Sequence, residues 1–266
     1  MAAPILVTGG TGTLGRRVVS LLRDADRDVR VLSRHRGAAV AGVDFVTGDL
    51  TTGDGVDAAV AGSEIIVNCA GSAKGDGNMA RHLVRAASAV GVRHVVHISV
   101  VGADRVPLTG RLDRAMFGYF GSKLDAERVV ADAGLPWTTL RATQFHELML
   151  TVAGMLSKLP VIPVAAGFRF QPVDAGEVAA RLAGLALGAP AGLAPDIAGP
   201  RAYGMDELVR SYLRARGLRR PIVPIRVPGA AARAVRGGAN LALDQAVGRR
   251  TWEDFLAERL GRAAPA

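Results

Sequence analysis

The sequence VTGGTGTLGR at residues 7–16 decides the fold, because it joins a short apolar run to the start of an amphipathic segment. Gly9, Gly12 and Gly15 are spaced three residues apart, as in the glycine loops that bind the diphosphate of a dinucleotide. One such glycine permits a tight turn, another lets the backbone approach the diphosphate, and the last lets the helix pack against the strand. The helix N-terminus then offers free N–H groups and the positive end of its dipole to the phosphates. The loop residues predicted to contact the cofactor are Gly9, Thr11, Gly12, Thr13, Leu14 and Gly15.

The phosphate loop of an NTPase is the nearest alternative interpretation of this stretch. Gly10 and Gly15 have the G-x-x-x-x-G spacing of that loop. The NTPase motif continues with Lys and then Ser or Thr, whereas Arg16 and Arg17 follow here. Because Arg17 has no hydroxyl to bind Mg²⁺, the pattern favours the dinucleotide loop.

The rest of the chain extends this start into an α/β protein. Apolar runs predict strands at 5–8, 29–33, 43–47, 65–69, 94–99 and 137–141, and helical periodicity predicts helices at 13–23, 55–61, 79–90 and 111–133. Strict alternation of strand and helix indicates βαβ units, and therefore a Rossmann-type doubly wound parallel sheet. Further on, we predict helices at 175–187, 205–216 and 251–260 and strands at 168–172 and 222–225. Residues 1–142 are thus predicted to form the dinucleotide-binding core, and 143–266 to complete the sheet and form a small substrate lobe within one compact unit.

The composition excludes several classes of protein. Of the 266 residues 49% are apolar, which excludes general disorder, and a single cysteine excludes a disulfide framework or a cysteine-based metal cluster. The five histidines show no metal-binding spacing, so we expect no metal. The longest apolar runs have strand length and no leader-like run precedes the first strand, so we expect no membrane partner and a cytoplasmic location. Nothing in the sequence decides whether the protein is a monomer or a dimer.

The net charge of +9 comes from 33 Lys and Arg against 24 Asp and Glu, and raises nucleic acid as a partner. Basic proteins that bind single strands also need stacking aromatics, and these make up only 5% of the chain, so we expect no nucleic-acid partner. The charge is local, since residues 208–243 contain eight Arg and no Asp or Glu. This stretch is interpreted as a solvated face or as a site for an acidic substrate or partner.

The end of the second predicted strand indicates which cofactor is bound. An NAD-binding protein places an acidic residue there to hold the ribose hydroxyls, and this chain has Ser33 and Arg34 instead. A hydroxyl and a guanidinium suit the 2′-phosphate of NADP, although Arg34 is also explained as a solvated loop residue. We therefore predict that NADP(H) is preferred over NAD(H).

Tyr119 and Lys123 are four residues apart in a predicted helix, so they share one face. A nearby ammonium favours the phenolate and lowers the tyrosine pKa from its usual value of about 10. Tyr119 is then a candidate general acid/base, with Lys123 tuning it and holding the nicotinamide ribose. The alternative without a catalytic role is a packed Tyr beside a solvated Lys, because Y-x-x-x-K alone is a weak motif.

With these features together, the chain resembles the atypical short-chain dehydrogenases/reductases of the NmrA-like branch. The motifs that carry the resemblance are VTGGTGTLGR (7–16), SR (33–34), GDL (48–50), NCAG (68–71), HISVVGAD (97–104), YFGSK (119–123), LRATQF (140–145), PVDAGEVA (172–179) and TWEDFLAERL (251–260). The resemblance implies that Asp49 and Leu50 flank the adenine and that Ala70 and Gly71 line the ribose and diphosphate. It also implies that Gln144 and Phe145 lie near the nicotinamide.

One departure from this family concerns catalysis. Active members usually carry Ser or Thr after the fifth strand to polarise the substrate carbonyl, and this chain has Ser99-Val100-Val101. Ser99 is kept as a candidate for that role and for contact with the nicotinamide. Cys69 falls inside a predicted strand and is expected to be a packed thiol. Candidates for an apolar substrate pocket, each equally explained by ordinary packing, are Phe117, His146, Met149, Phe168 and Phe170.

Three functions remain open from the sequence. The first is an NADP(H)-dependent oxidoreductase that transfers hydride to or from a small, moderately apolar carbonyl or quinone substrate. The second is a non-catalytic NADP-binding redox sensor that docks on a partner protein, which the missing serine favours. The third is an isomerase or dehydratase that keeps its cofactor tightly bound.

Overall fold

A computed structural model describes residues 3–35, 40–72 and 74–261 of the chain. The strands are β1 (Ile5–Thr8), β2 (Val29–Ser33), β3 (Val43–Thr47), β4 (Ile65–Asn68), β5 (His94–Val100), β6 (Trp137–Ala142), β7 (Ile162–Ala165), β8 (Arg169–Phe170), β9 (Gly192–Leu193), β10 (Tyr203–Gly204) and β11 (Ile222–Ile225). The helices are α1 (Gly15–Asp24), α2 (Val56–Val60), α3 (Asp76–Val90), α4 (Arg111–Ala131), α5 (His146–Leu156), α6 (Ala175–Leu187), α7 (Met205–Ala215), α8 (Ala230–Arg236) and α9 (Trp252–Leu260).

A seven-stranded sheet has the order β3-β2-β1-β4-β5-β6-β9. Strand β1 pairs in parallel with β2 on one side and with β4 on the other, so that Ile5 lies opposite both Val29 and Ile65. The chain therefore first builds outward from β1 in one direction and then in the other. Parallel sheets with this reversal leave a crevice at the carboxyl ends of the strands beside the reversal, and ligands bind there.

The chain forms two compact units. Unit 1 comprises the residues up to Ser99, then Gly118–Arg141 and Ala175–Pro195, and unit 2 comprises Val100–Phe117, Ala142–Asp174 and the residues from Asp196 onward. Helix α6 and strand β9, which come late in the sequence, thus belong with the sheet of unit 1. The predicted division at residue 142 stays a prediction.

Unit 1 is built around strands that are buried along their whole length. Every residue of β1 and every residue of β5 is buried, as expected for parallel strands covered by helices on both faces. On one face, Leu6 and Ile66 of the sheet pack with Leu83 of α3 and Val130 of α4. Helix α1 lies beside α6, and its buried residues are Gly15, Val18 and Leu22.

Unit 2 has its own core and two small sheets. Strands β8 and β10 pair antiparallel, and β7 and β11 pair in parallel. Helices α5, α7 and α9 contribute Met149, Leu208 and Trp252 to a cluster in which the indole N–H of Trp252 donates to the Leu208 carbonyl at 3.3 Å. Thr251 caps α9 by accepting from the backbone N–H of Asp254, which stabilises the helix start.

The predicted fold class, a Rossmann-type parallel sheet, is confirmed. Strands β1, β2, β3 and β11 and helix α6 have the predicted bounds, and the other predicted elements are present with shifted ends. The start of the third helix was predicted three residues too far along the chain, at residue 79, since α3 begins at Asp76. Helix α5 and helix α8 were missed; α5 is apolar on several faces and α8 is short and flanked by glycines, so neither shows a helical period.

Gly15 and Gly184 offer a matched test of the close packing at the start of α1. A Cβ built on Gly15 lies 2.2 Å from the Gly9 carbonyl oxygen, whereas one on Gly184, in α6, meets nothing within 4 Å. We expect Gly15→Ala to lower the free energy of unfolding by about 1–3 kcal/mol through overpacking. Gly184→Ala should raise it by about 0.5–1 kcal/mol, because alanine loses less backbone entropy in a helix. Urea unfolding followed by circular dichroism measures both, and equal effects would contradict the packing argument.

Candidate dinucleotide-binding and active site

The glycine loop is packed backbone against backbone. Gly9 has φ +65, and a Cβ there lies 2.7 Å from the backbone N of Ala70 at the end of β4. Gly12 donates its N–H to the Gly9 carbonyl at 3.0 Å, which closes the turn. A side chain at Gly9 or Gly15 would therefore displace the loop from β4 or the helix from the loop, so the loop can have only this path.

A cavity of about 370 Å³ in unit 1 lies at the carboxyl ends of β1, β2 and β4. The predicted cofactor residues that line it are Gly9, Thr11, Gly12, Ser33, Arg34, Asp49, Leu50, Ala70 and Gly71. Thr13 and Leu14 lie in the turn before α1 and Gly15 is the first residue of that helix, and the lining includes none of the three. Two further lining residues, Gly48 and Cys69, belong to the motifs quoted above, and sequence reasoning missed Leu32, His35, Thr51, Ser72 and Met79. The first four are each next to a predicted residue in the sequence, and Met79 lies on α3. No motif distinguishes any of them.

Arg34 and Asp49 give one end of the cavity its charge. The backbone N–H and the hydroxyl of Thr51 donate to the Asp49 carboxylate at 2.8 and 2.7 Å. These hydrogen bonds hold the pKa of Asp49 below its usual value, and the positive charge of Arg34 lowers this pKa further. Asp49 is thus a fixed acceptor, while the Arg34 guanidinium lies beside the cavity at the end of β2.

Lys123 of α4 is buried and forms an ion pair with Asp76, with 2.8 Å between the Nζ and a carboxylate oxygen. The other carboxylate oxygen accepts from the backbone N–H of Ser72 at 2.7 Å. The same ammonium lies next to Gly71, where an added Cβ would approach the Nζ to 2.6 Å. The alternative of a solvated Lys123 does not hold, and Asp76 is a partner that sequence reasoning missed.

Tyr119 lies one helical turn before Lys123, whose Nζ is 5.7 Å from the centre of the tyrosine ring. Burial raises the pKa of Tyr119 above its usual value; the charge of Lys123 lowers it, and that of Asp76 raises it. Lys123 thus acts in the predicted direction, but the net shift is upward, so the prediction of a lowered pKa is wrong. The physical reason is the partial desolvation of the phenol, with Asp76 opposing the ammonium. The Tyr119 side chain is nevertheless 41% exposed, so it can be reached from solvent.

A row of buried polar groups crosses the carboxyl ends of β1, β4 and β5. The Thr8 hydroxyl donates to Asn68 at 2.6 Å, and the Asn68 amide is 3.0 Å from His97 Nδ1. Burial lowers the pKa of His97 to about 3, and the charge of Lys123 contributes in the same direction, so the imidazole is neutral. Within the described residues, His97 Nε2 and the Ser99 hydroxyl have no hydrogen-bond partner, although both are buried. Such atoms on one face of β5 are suited to contact a bound ligand.

Cys69 lines the cavity, just after β4. Burial raises the pKa of its thiol to about 12, although the charge of Lys123 pulls that pKa downward. The thiol is therefore un-ionised at neutral pH, as expected of an unreactive cysteine. The expected place inside a strand is wrong, because β4 ends at Asn68 and Cys69 is a partly buried residue of the cavity wall.

The remaining predicted residues all lie in unit 2. Gln144 has a buried side-chain oxygen without a partner among the described residues, and Phe145 pairs with Val173 in a β-bridge. His146 is fully buried, with its ring centre 5.0 Å from that of Phe255. Phe117 and Phe168 are in contact, with ring centres 6.1 Å apart, and Met149 and Phe170 pack in the core of unit 2. The roles predicted for these residues stay predictions.

The residues of the cavity in unit 1 fit a dinucleotide. The loop of Gly9 and Gly12 is a cradle that a Cβ would fill, and the N-terminus of α1 begins at its end. Arg34 and Asp49 line the cavity as a cation and an acceptor, and Gly71, also in the lining, lies beside the buried ammonium of Lys123. In the described part of the chain, no group of three or more His, Cys, Asp or Glu side chains is arranged to hold a metal ion.

Comparison with known proteins agrees with this geometry. A family described as NAD(P)H-binding matches residues 9–151. A (4-alkanoyl-5-oxo-2,5-dihydrofuran-3-yl)methyl phosphate reductase of Streptomyces griseus is 29% identical over 227 residues, which cover 80% of this chain and 74% of that protein. An NAD(P)H azoreductase of Xenophilus azovorans is 28% identical over 228 residues, covering 82% of this chain and 75% of that protein.

Among solved structures, this chain is similar to the NADPH-dependent quinone oxidoreductase of Escherichia coli in complex with NADPH. The TM-score is 0.79 at 20% identity, and the match covers 96% of this chain and 99% of that chain. At this level of identity the likeness shows the fold.

The single cysteine allows a direct test of the site's electrostatics. With the pKa of Cys69 raised to about 12, we expect the folded protein to react with iodoacetamide at pH 8 at least about 1000-fold more slowly than free cysteine. Lys123→Met should slow the reaction further, because it removes the charge that lowers this pKa. The urea-unfolded protein is the control and should react at the rate of free cysteine. A folded-state rate close to that control would show that the thiol is not desolvated.

Proposed function

The chain belongs to the NAD(P)H-binding family and is an NAD(P)H-dependent oxidoreductase, and from this premise we propose that it prefers NADP(H) and reduces a small, moderately apolar carbonyl or quinone compound. In this proposal Tyr119 is the proton donor and Lys123 the residue that positions the nicotinamide ribose. The observation that carries the proposal is the position of Lys123. Its ammonium lies against Gly71 of the cavity and one helical turn from the Tyr119 ring.

Bound NADPH supplies a hydride from its nicotinamide ring. Reduction of a carbonyl then also requires a proton on the oxygen, and Tyr119 is the group proposed to donate it. Because burial raises the pKa of Tyr119, its phenol is protonated at neutral pH, which favours the reductive direction. Ser99, whose buried hydroxyl has no partner in the described residues, is proposed to contact the nicotinamide or the carbonyl oxygen.

Asp76 is proposed to position Lys123. Its carboxylate accepts a hydrogen bond from the Ser72 N–H at 2.7 Å. Its own backbone N–H donates to the Ser122 hydroxyl at 3.0 Å, so both the side chain and the backbone of Asp76 are held in place. The ion pair fixes the ammonium beside Gly71 at 2.8 Å from the carboxylate, so little side-chain entropy is lost when a ribose binds. The same ion pair weakens the effect of Lys123 on the Tyr119 pKa.

The preference for NADP(H) is proposed from Ser33 and Arg34. Both line the cavity at the end of β2, where an NAD-specific protein places an acidic residue. A guanidinium binds a 2′-phosphate through two parallel hydrogen bonds, and no acidic residue directly follows β2 in the sequence. The neighbouring His35 also lines the cavity there.

The substrate class is proposed more broadly than a single compound. Relatives named as an azoreductase and as a reductase of an oxo-dihydrofuran phosphate suggest that an electron-poor, partly apolar acceptor is reduced. The predicted pocket residues, mainly Phe and Met, suit such a compound, and Gln144 and Phe145 are proposed to lie near the nicotinamide as the resemblance implies.

A redox sensor without catalysis is a second candidate, which one observation favours. The two positions after Ser99, at one of which family members usually carry the polarising hydroxyl, are occupied by Val100 and Val101, and both are buried. If Ser99 does not replace that hydroxyl, the protein binds NADP(H) without turnover and acts through a partner protein.

Tyr119→Phe separates these two functions. If Tyr119 donates the proton, we expect kcat for quinones and carbonyl compounds to fall by about 10²–10⁴-fold, because the donor is lost. NADPH affinity, measured by fluorescence titration, should stay within about twofold since the hydroxyl is not needed for binding. Tyr212→Phe, in α7 of unit 2, is the matched control and should keep its activity. Unchanged turnover in the Tyr119 variant would refute its role, and no turnover in the wild type over a broad substrate panel would favour the sensor.

Arg34→Gln tests the cofactor preference. Loss of charge-assisted hydrogen bonds worth about 1.5–3 kcal/mol predicts that Kd for NADPH rises by about 10- to 100-fold, with little change for NADH. Arg93→Gln is the control, because Arg93 pairs with Glu64 before the amino end of β5, at the opposite edge of the sheet. An equal loss of affinity for the two cofactors in the Arg34 variant would exclude recognition of the 2′-phosphate.

A further inference from the structure

Two stretches of unit 2 contain no Asp or Glu. They are residues 148–173 and 208–243, which together carry ten cations. These cations are Lys158, Arg169, Arg210, Arg214, Arg216, Arg219, Arg220, Arg226, Arg233 and Arg236. The two stretches meet in the parallel pair of β7 and β11, so the small sheet that they form is built entirely from acid-free sequence.

One face of this sheet is unpartnered within the described residues. Ile162 and Val164 of β7 point into the core of unit 2. Val161 and Pro163, which alternate with them along the chain, point outward, and so do Val223 and Ile225, which pair with Pro163 and Ala165. Val161 is 47%, Val223 45% and Ile225 50% exposed. Exposed aliphatic side chains side by side on a sheet mark an interaction surface rather than ordinary scatter.

Cations border this face at its start. A hollow of about 430 Å³ is lined by Lys158, Arg219 and Arg220 together with Pro160 and Pro221. The hollow is continuous with the sheet, because Val161 follows Pro160 and Ile222 follows Pro221 directly in the chain. We name this surface the basic-apolar patch; it consists of Lys158, Val161, Arg219, Arg220, Val223 and Ile225.

Three kinds of partner fit the patch poorly. Pro163 and Pro224 lack an N–H, so addition of a further β-strand from a peptide is disfavoured at this sheet. A second copy of the chain would bring identical cations together. Stacking of nucleic-acid bases needs aromatic side chains, and residues 156–167 and 213–243 contain no Phe, Tyr or Trp.

We propose that the basic-apolar patch binds the surface of an anionic phospholipid bilayer. The patch presents aliphatic side chains beside cations and no carboxylate, and this is the chemistry that partitions apolar groups among acyl chains while Lys and Arg contact headgroup phosphates. A lipid surface requires no fixed pattern of hydrogen bonds, and the stretch 218–226 contains no uncharged polar side chain. The proposal is independent of the proposed function.

This contact differs from a membrane span. The absence of an apolar run of spanning length was the ground for expecting no membrane partner. None of the helices in the described ranges combines the length and hydropathy that crossing a bilayer requires. Attachment at the surface needs neither, since it depends on local charge and a few exposed apolar side chains.

Co-sedimentation with vesicles tests the proposal on the full chain. We expect binding to phosphatidylcholine vesicles with about 30% phosphatidylglycerol and none to pure phosphatidylcholine. Each cation close to an anionic surface contributes about a fivefold gain in the binding constant, so the double variant R219Q/R220Q should bind about 30-fold more weakly. The control R85Q/R93Q has the same net charge but changes exposed arginines of unit 1, and it should bind within about twofold of wild type.

The control distinguishes a patch from a general effect of positive charge. Equal losses in R219Q/R220Q and R85Q/R93Q, or equal binding to both vesicle types, would overturn the proposal. Retention of a short DNA duplex, with no binding to either vesicle, would also overturn it and assign the charge to nucleic acid. An acidic protein as the true partner would leave the anionic vesicles unbound in the same assay.

The apolar half of the patch is tested with V223S/I225S. We expect this variant to bind anionic vesicles at low salt but to lose the binding that wild type retains at about 0.5 M NaCl, where charge is screened. The thermal unfolding midpoint of V223S/I225S shows whether this variant folds. If it does not fold, the proposal is tested by R219Q/R220Q alone. Wild-type behaviour of V223S/I225S at both salt concentrations would show that no side chain enters the bilayer.

Discussion

Close packing of backbone on backbone at the end of β1 is the constraint on which the rest of unit 1 depends. Gly9 lies against the Cys69–Ala70 peptide and Gly15 against Gly9 itself, so three segments share a space that holds no side chain. This packing sets where α1 begins relative to the sheet and keeps the end of β4 open. The cavity exists because the loop and the strand end approach each other without Cβ atoms between them.

The electrostatics of the site follow from one buried ion pair. Lys123 approaches the cavity at Gly71, and the carboxylate of Asp76 compensates much of its positive charge. A buried lysine without such a partner would carry a large desolvation cost. The ammonium still acts on its neighbours, since it lowers the pKa of Cys69, His97 and Tyr119. Burial outweighs this effect for Cys69 and Tyr119. These groups therefore stay protonated, and His97 stays neutral, over the physiological range of pH.

Sequence reasoning reached the sheet and the glycine loop because both depend on local patterns. Buried parallel strands are continuous apolar runs, and the loop's glycines are close in sequence, so each leaves a local signal. Asp76 was out of reach because 47 positions separate it from Lys123 and no spacing links the two. Helix α5 was missed for a different reason: its residues are apolar on several faces, so the stretch lacks the polar stripe that reveals a helix.

The positive charge of the chain is compensated by ion pairs in most places and concentrated without them in one. In unit 1, Arg30 pairs with Asp44, Arg85 with Asp57 and Arg141 with Glu127, so these arginines add little net field at the surface. In unit 2, Arg201, Arg210 and Arg250 are likewise paired with carboxylates. The acid-free stretches supply no carboxylate from the same segment, and their cations Lys158, Arg219 and Arg220 line the hollow beside β11. A charge that is compensated pair by pair serves the fold, whereas uncompensated charge next to exposed aliphatic side chains attracts an anionic partner over a distance of about one Debye length. Net charge alone could not distinguish these cases, because it sums over both units.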